Sequence, residues 1–189
     1  GMLLKLSGQE RRISHFGMAL AGFGLFFIGL DFLKAAFDGL ENTIPLDQIS
    51  HSSAALILFV MAGFVLTFLM QSSSAAIAIT LSLTAAGTIP LISAGALVIG
   101  ANLGTTSTAV LSVIGATSNA KRIAAAHVCF NLITGALGVL LLILLGGFIQ
   151  GDLANLNLVI LLAAFHTLFN LLGVAVMWPL TDKLEQFLR

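Results

Sequence analysis

Polar residues interrupt this chain at a few defined places, and the apolar runs between them have the lengths of membrane helices or of half-helices. The first run extends from about Phe16 to Phe37, long enough for one span at about 20 residues. Gly17, Gly22, Gly24 and Gly29 lie along it, and Asp31 and Lys34 share one face near its far end, where a local ion pair is the simpler reading. A polar loop over residues 38–53 follows. Ala54–Met70 is apolar and stops at Gln71-Ser72-Ser73-Ser74; a second short piece runs from Ala75 to Ala86, and Gly87-Thr88-Ile89-Pro90 ends it. Leu91–Ala101 reads as another half-span, broken at Asn102–Thr108, with Ala109–Ala116 beyond. After a polar loop over Thr117–Arg122 come two uninterrupted spans, Ile123–Ile149 and Leu156–Leu180, separated by a loop with Gln150 and Asp152. The tail after Pro179 is charged and amphipathic.

Composition agrees with the pattern. Hydrophobic residues make up 58% of the chain and charged residues 8%, with a mean hydropathy of +1.08. A soluble domain carries roughly 25% charged residues, so the chain is read as an all-α, polytopic membrane protein. Its formal net charge is zero and it has no basic block, which argues against nucleic acid as a partner. Cys129 is the single cysteine, so no intrachain disulfide or thiolate metal cluster is expected. Residues 1–15 lack the apolar core and cleavage site of a signal peptide, and Gly1-Met2 reads as a tag remnant before a starting methionine.

Charge placement predicts topology. No Asp, Glu, Lys or Arg occurs between Asp47 and Lys121. If Ala54–Ala86 enters the membrane and returns to the side it left, then Lys5, Arg11, Arg12, Lys121, Arg122, Lys183 and Arg189 all fall on one side, as cytoplasmic residues should. A single crossing there would split them. The expected organisation is a cytoplasmic segment over 1–15, a membrane domain over 16–180 containing a re-entrant helical hairpin and a broken transmembrane helix, and a cytoplasmic tail over 181–189. The hairpin tip, Gln71–Ser74, is placed near mid-depth, where irregular backbone is tolerated when it lines a cavity.

The two polar breaks have a chemistry in common. A helix N-terminus presents free N–H groups and about half a positive charge, so it binds anions without a cationic side chain. Pieces starting near Ser73 and near Thr106 would aim such ends at one cavity. Serine and threonine hydroxyls donate to phosphate-like oxygens or ligate a hard cation, and the amides of Gln71 and Asn102 do either. Gly100 and Gly104 would let the backbone unwind and approach a ligand. Against this stands the ordinary role of Ser and Thr in membrane helices, bonding back to their own backbone.

The last two spans share a pattern, His127-Val128-Cys129-Phe130-Asn131-Leu132 and His166-Thr167-Leu168-Phe169-Asn170-Leu171. His and Asn four apart occupy one helix face, and polar contacts between helices explain them better than a zinc site. Asn131 and Asn170, with Thr108, are candidates to border the cavity. A serine hydrolase using Ser73 with His127 needs nucleophile and base within reach, which nothing in the spacing demands; no catalytic residues are expected.

Gln71-Ser72-Ser73-Ser74-Ala75 resembles the QSSSA signature of the sodium/phosphate cotransporter family, the type II sodium-dependent phosphate transporters and their bacterial relatives. Gly100-Ala101-Asn102-Leu103-Gly104-Thr105-Thr106 resembles that family's GAN-[IL]-GTT motif, and the resemblance covers Phe16 to Leu180. It implies Na⁺-driven phosphate symport by alternating access, in a bacterial inner membrane, with phosphate and Na⁺ held by Gln71, Ser72, Ser73, Ser74, Asn102, Thr105 and Thr106. Na⁺ would be the coupling ion, bound through the same hydroxyls and backbone carbonyls, with no other cofactor and no transition-metal site. Family members carry two inverted repeats, each with a QSSS motif, and this sequence has one, most like the second. A second repeat or second copy is therefore an expected partner. The alternative function is a non-transporting membrane subunit or phosphate sensor.

Overall fold

The computed structural model describes residues 11–41, 54–150 and 156–188, and every regular element among them is helical. Residues 42–53 and 151–155, which hold most of the two expected acidic loops, lie outside the described residues, as does the Lys34 side chain of the expected Asp31–Lys34 pair. The chain divides into two units, residues 1–44 and 45–189. Among the described residues the first contains α1 (Arg11–Glu41). The second contains α2 (Ala55–Met70), α3 (Ser73–Ala85), α4 (Leu91–Ser112), α5 (Ser118–Gln150), α6 (Leu158–Met177), a 3₁₀ turn (Trp178–Leu180) and α7 (Thr181–Leu188). Among the described residues four stretches are long and apolar enough to cross a bilayer: Arg12–Gly29, Leu91–Ser112, Ser118–Gly146 and Leu158–Leu188. Side chains such as Ile57, Leu69, Ile123, Ile160 and Leu171 stay exposed. A lipid surround would cover them as a core covers buried ones.

The second unit is built on α4, which α2, α3, α5 and α6 all contact. Every residue from Ser93 to Ala101 is buried, and the reason is size. Ser93, Ala94, Gly95, Ala96, Gly100 and Ala101 leave room for neighbours on all sides. The tightest crossing is with α2. A Cβ on Gly63 would collide with the carbonyl oxygen of Leu97, and one on Gly100 with that of Val60. A Cβ on Gly104 would meet Thr67 Cβ at 2.5 Å and Phe64 O at 2.9 Å. Here helix backbones touch directly.

These pairs also give direction. Val60 faces Gly100, and Thr67 faces Gly104, so α2 and α4 run parallel. Leu91 then begins about 9 Å behind Leu97 at 1.5 Å per residue, level with the start of α2. The 13 residues of α3 and the connection through Pro90 must bring the chain back to that level, which makes α3 a return leg. It ends in a Schellman motif: Thr88 N bonds Leu83 O and Gly87 N bonds Thr84 O, both at 3.1 Å, with Gly87 at φ +74°. Leu103 meets Gly135, Ile99 meets Gly138 and Leu142 meets Gly95, so α5 is antiparallel to α4. Phe169 meets Gly138 and Thr134 meets Gly173, so α6 reverses again.

One expectation is overturned. Leu91–Ser112 is a single continuous α-helix, 22 residues long, with no break at Asn102–Thr108. The hydroxyls there find acceptors without unwinding anything: Thr105, Thr106, Ser107 and Thr108 donate to the carbonyls three residues back at 2.6–2.7 Å. Gly100 and Gly104 serve the approach of α2 instead of a bend in α4. Nor does the Gln71–Ser74 junction fall level with the middle of α4. Thr67 is already beside Gly104, so Gln71, one turn further on, reaches the last turns of α4.

Candidate functional site

The junction between α2 and α3 forms because two residues leave helical geometry together. Gln71 is left-handed, with φ 52° and ψ 28°, and Ser72 is extended, with φ −152° and ψ 105°. Among the described residues Gln71 is the one non-glycine at positive φ, a conformation that costs an ordinary L-residue roughly 1–2 kcal/mol and that clusters at functional sites. Gln71 Nε2 donates to Phe68 O at 2.5 Å, which ties the side chain back over the last turn of α2. Ser72 caps α3: its Oγ accepts from Ala75 N at 3.2 Å, and its carbonyl accepts from Ala76 N at 3.1 Å.

This leaves the first-turn amides of Ser73 and Ser74, with both serine hydroxyls, free of protein hydrogen bonds among the described residues. Ser72 and Ser73 are half-buried, and Gln71 and Ser74 are exposed. A helix start carrying about half a positive charge therefore presents two amides and two hydroxyls, with no carboxylate in the junction to oppose an anion.

The second cluster lies on α4 and α5. Asn102 Nδ2 donates to Asn131 Oδ1 at 3.0 Å. Asn131 Nδ2 donates to His127 O at 3.0 Å and lies 3.2 Å from His127 Nε2. Thr105 Oγ1 stands 3.5 Å from the same imidazole nitrogen. The expected contacts between helices are thus present on α5. On α6, Asn170 Nδ2 donates only to His166 O, at 2.9 Å. His127 turns to Thr105 and Asn131, which gives the hydrolase pairing with Ser73 no support. Thr105, Thr106 and Thr108 donate their hydroxyl hydrogens to α4 carbonyls, so each hydroxyl oxygen keeps lone pairs with which to accept.

Of the candidate residues, the structure gathers Gln71–Ser74 into one junction and joins Asn102, Thr105 and Asn131 into one network. Thr106 and Thr108 sit on the same stretch of α4 with local bonds, and Asn170 stands apart on α6. The parallel run of α2 and α4 brings junction and network to the same end of the bundle. Sequence reasoning missed Thr67, which is 1% exposed with an Oγ1 that finds no partner, one turn before Gln71. Its spacing of four from Gly63, matching Gly100 and Gly104, is a small-residue packing signal that was available in the sequence. Two cavities lie away from the junction. One is a groove of about 650 Å³ between α5 and α7, and the other an apolar pocket of about 140 Å³ among α4, α5 and α6.

Comparison with known proteins gives consistent results. The model of the Na⁺/Pi-cotransporter family matches residues 46–178, and so contains both the junction and the α4–α5 network. "Putative inorganic phosphate export protein YjbB" of Escherichia coli (strain K12) is 31% identical over 188 residues, covering 99% of this chain and 34% of the relative. The protein of the same name from Salmonella typhimurium is 30% identical over 190 residues, with the same shares. "Uncharacterized protein YqeW" of Bacillus subtilis is 31% identical over 188 residues, 96% of this chain and 59% of the relative. The chain thus spans about a third of the length of the YjbB proteins. No solved structure matches it. On the match of residues 46–178, the chain belongs to the Na⁺/Pi-cotransporter family.

Proposed function

We propose that the chain forms half of a Na⁺-coupled transporter of inorganic phosphate that works by alternating access, completed by a second repeat or a second copy. The observation that carries this reading is the α2–α3 junction, where a capped helix start offers the free amides and hydroxyls of Ser73 and Ser74. Phosphate as the substrate accords with the family and with the names of the YjbB relatives, which speak of export. Both names describe transport, not enzymatic turnover.

The hydrogen-bond directions suggest a division of labour. Ser73 and Ser74, with Gln71 and Ser72 shaping the turn, donate to phosphate oxygens. Thr105 and Thr106, their protons already committed within α4, offer oxygen atoms to Na⁺. Asn102 positions this stretch through Asn131, and Thr108, Asn131 and Asn170 border the path. In this reading α2 and α3 form a re-entrant hairpin, and an inverted partner supplies the facing half of the cavity.

The test is radiolabelled phosphate flux in proteoliposomes, with Na⁺ and then K⁺ as the external cation. Flux that needs Na⁺ and disappears in Ser73→Ala is the expected result. Flux that is indifferent to Na⁺ removes the coupling, and flux intact in Ser73→Ala removes that serine from the site. Phosphate binding without flux points to the sensor or subunit role, which the coverage of only a third of the YjbB chain keeps in view.

A further inference from the structure

His127 has a ring nitrogen that the α4–α5 network does not use, and the network decides what that nitrogen carries. Asn131 is 4% exposed, and one end of its amide lies 3.0 Å from the backbone carbonyl oxygen of His127. A backbone carbonyl can only accept, so this end of the amide is the nitrogen. The other end is then the oxygen, and it accepts from Asn102 Nδ2 at 3.0 Å. A main-chain atom thus fixes which way the Asn131 amide points.

The same amide nitrogen stands 3.2 Å from His127 Nε2. An amide nitrogen donates and does not accept, so Nε2 has to offer its lone pair. Thr105 Oγ1 does not change this: its own hydrogen goes to Asn102 O at 2.7 Å, and at 3.5 Å from Nε2 it is the weaker of the two partners. A neutral imidazole that accepts at Nε2 carries its hydrogen on Nδ1. Among the described residues that Nδ1 has no hydrogen-bond partner, and His127 is exposed. The chain from Asn102 through Asn131 to His127 therefore ends in one N–H group held in a fixed tautomer, with nothing in the described protein to receive it.

We infer that His127 is a further phosphate-binding residue, donating through Nδ1–H to a phosphate oxygen, and that Asn131 is the positioning residue that keeps the hydrogen on that nitrogen. The inference rests on the transport reading for its ligand and adds a donor that reading lacks. The hydroxyls of Thr105, Thr106 and Thr108 have donated within α4, so they meet a phosphate as acceptors, which repel it. His127 supplies an N–H group beside them, at the same end of the bundle as Ser73 and Ser74. Its partner is the same kind of group that the junction would hold, an anionic oxygen. A neutral imidazole, like the serine amides and hydroxyls, binds that oxygen without leaving an unpaired charge in the membrane when the anion departs.

The experiment reads the tautomer directly. Nitrogen NMR of the full chain with isotope-labelled histidine, in lipid nanodiscs at about pH 8.5, lies well above the ordinary imidazole pKa of about 6.5; the His127 signals are those lost in His127→Phe. The expected spectrum has the hydrogen on Nδ1, and inorganic phosphate shifts that resonance saturably. Asn131→Leu is expected to bring the Nε2–H form into the spectrum. In proteoliposomes His127→Phe, which keeps a ring and loses the donor, is expected to raise the half-saturating phosphate concentration roughly tenfold, as the loss of one hydrogen bond to a charged group does. His127→Asn, which sets an amide nitrogen near the place of Nδ1, is expected to recover most of the affinity. A hydrogen on Nε2 in the unmodified protein overturns the inference, as does an Nδ1 resonance that saturating phosphate leaves in place. Phosphate flux with an unmoved Nδ1 resonance counts against His127 alone, and a moved resonance without flux counts against transport alone. If Asn131→Leu fails to fold, the spectrum of the unmodified protein still decides.

Discussion

Asn131 is the side chain on which the α4–α5 contact turns. Its oxygen accepts a hydrogen bond from Asn102 Nδ2 and its nitrogen donates to His127 O, and the residue is 4% exposed, so a lost partner is not replaced cheaply. Truncating it strands the Asn102 amide. A double-mutant cycle on Asn102→Ala and Asn131→Ala, read by thermal or denaturant unfolding in detergent, is expected to give a coupling of about 0.6–2 kcal/mol, the range of hydrogen bonds between membrane helices. A coupling indistinguishable from zero means that the amide pair does not hold the helices together. The two orphaned hydroxyls differ from this case. Thr67 Oγ1 and Thr134 Oγ1 have no hydrogen-bond partner, and each threonine presses on a glycine of the facing helix, Gly104 and Gly173. At Gly173 the nearest atom is the Thr134 hydroxyl oxygen, where a Cα–H group offers a weak substitute for an N–H donor.

Element by element, the glycines of α4 matter most. A methyl group on Gly100 runs into the backbone of Val60, and backbone cannot rotate away as a side chain can. Gly100→Ala is therefore expected to destabilise the protein by about 1–3 kcal/mol, the usual cost of overpacking. Gly146→Ala in α5 meets only Ile92 Cδ1 at 3.8 Å, and it should be neutral or stabilising by up to about 1 kcal/mol through helix propensity. Unfolding midpoints of the two variants, compared with the parent, check the pair; equal effects refute the tight crossing.

How much of this was legible in the sequence depends on the element. Gln71–Ser74 announced a real interruption, because three serines after a glutamine end a helix and cap the next. Gly87 and Pro90 likewise marked the end of α3 and the start of α4. The run at Asn102–Thr108 looked equally polar yet stays helical. Its hydroxyls are satisfied at i−3, and its amide by a residue on another helix. Composition cannot distinguish a polar residue that breaks a helix from one that is satisfied in place. Partners distant in sequence decide it.

For the whole molecule, the parallel course of α2 and α4 with α3 returning between them is the feature that makes topology testable. If the α2–α3 pair re-enters, its two ends lie on one side of the membrane. Single cysteines at Ala54 and Ala86, both exposed, introduced into a Cys129→Ala background, should react with a membrane-impermeant maleimide from the same side. Labelling from opposite sides replaces the hairpin with a single crossing and splits the basic residues between the two faces.

The contact between Gly63 and Leu97 joins positions far apart along the chain, and this bears on how the protein is made. Leu97 follows Gly63 in the chain, so α2, with its 16 apolar residues, forms ahead of the surface that will cover it. Only when α4 arrives does the notch that receives Gly63 exist. Close packing of α2 therefore has to await α4.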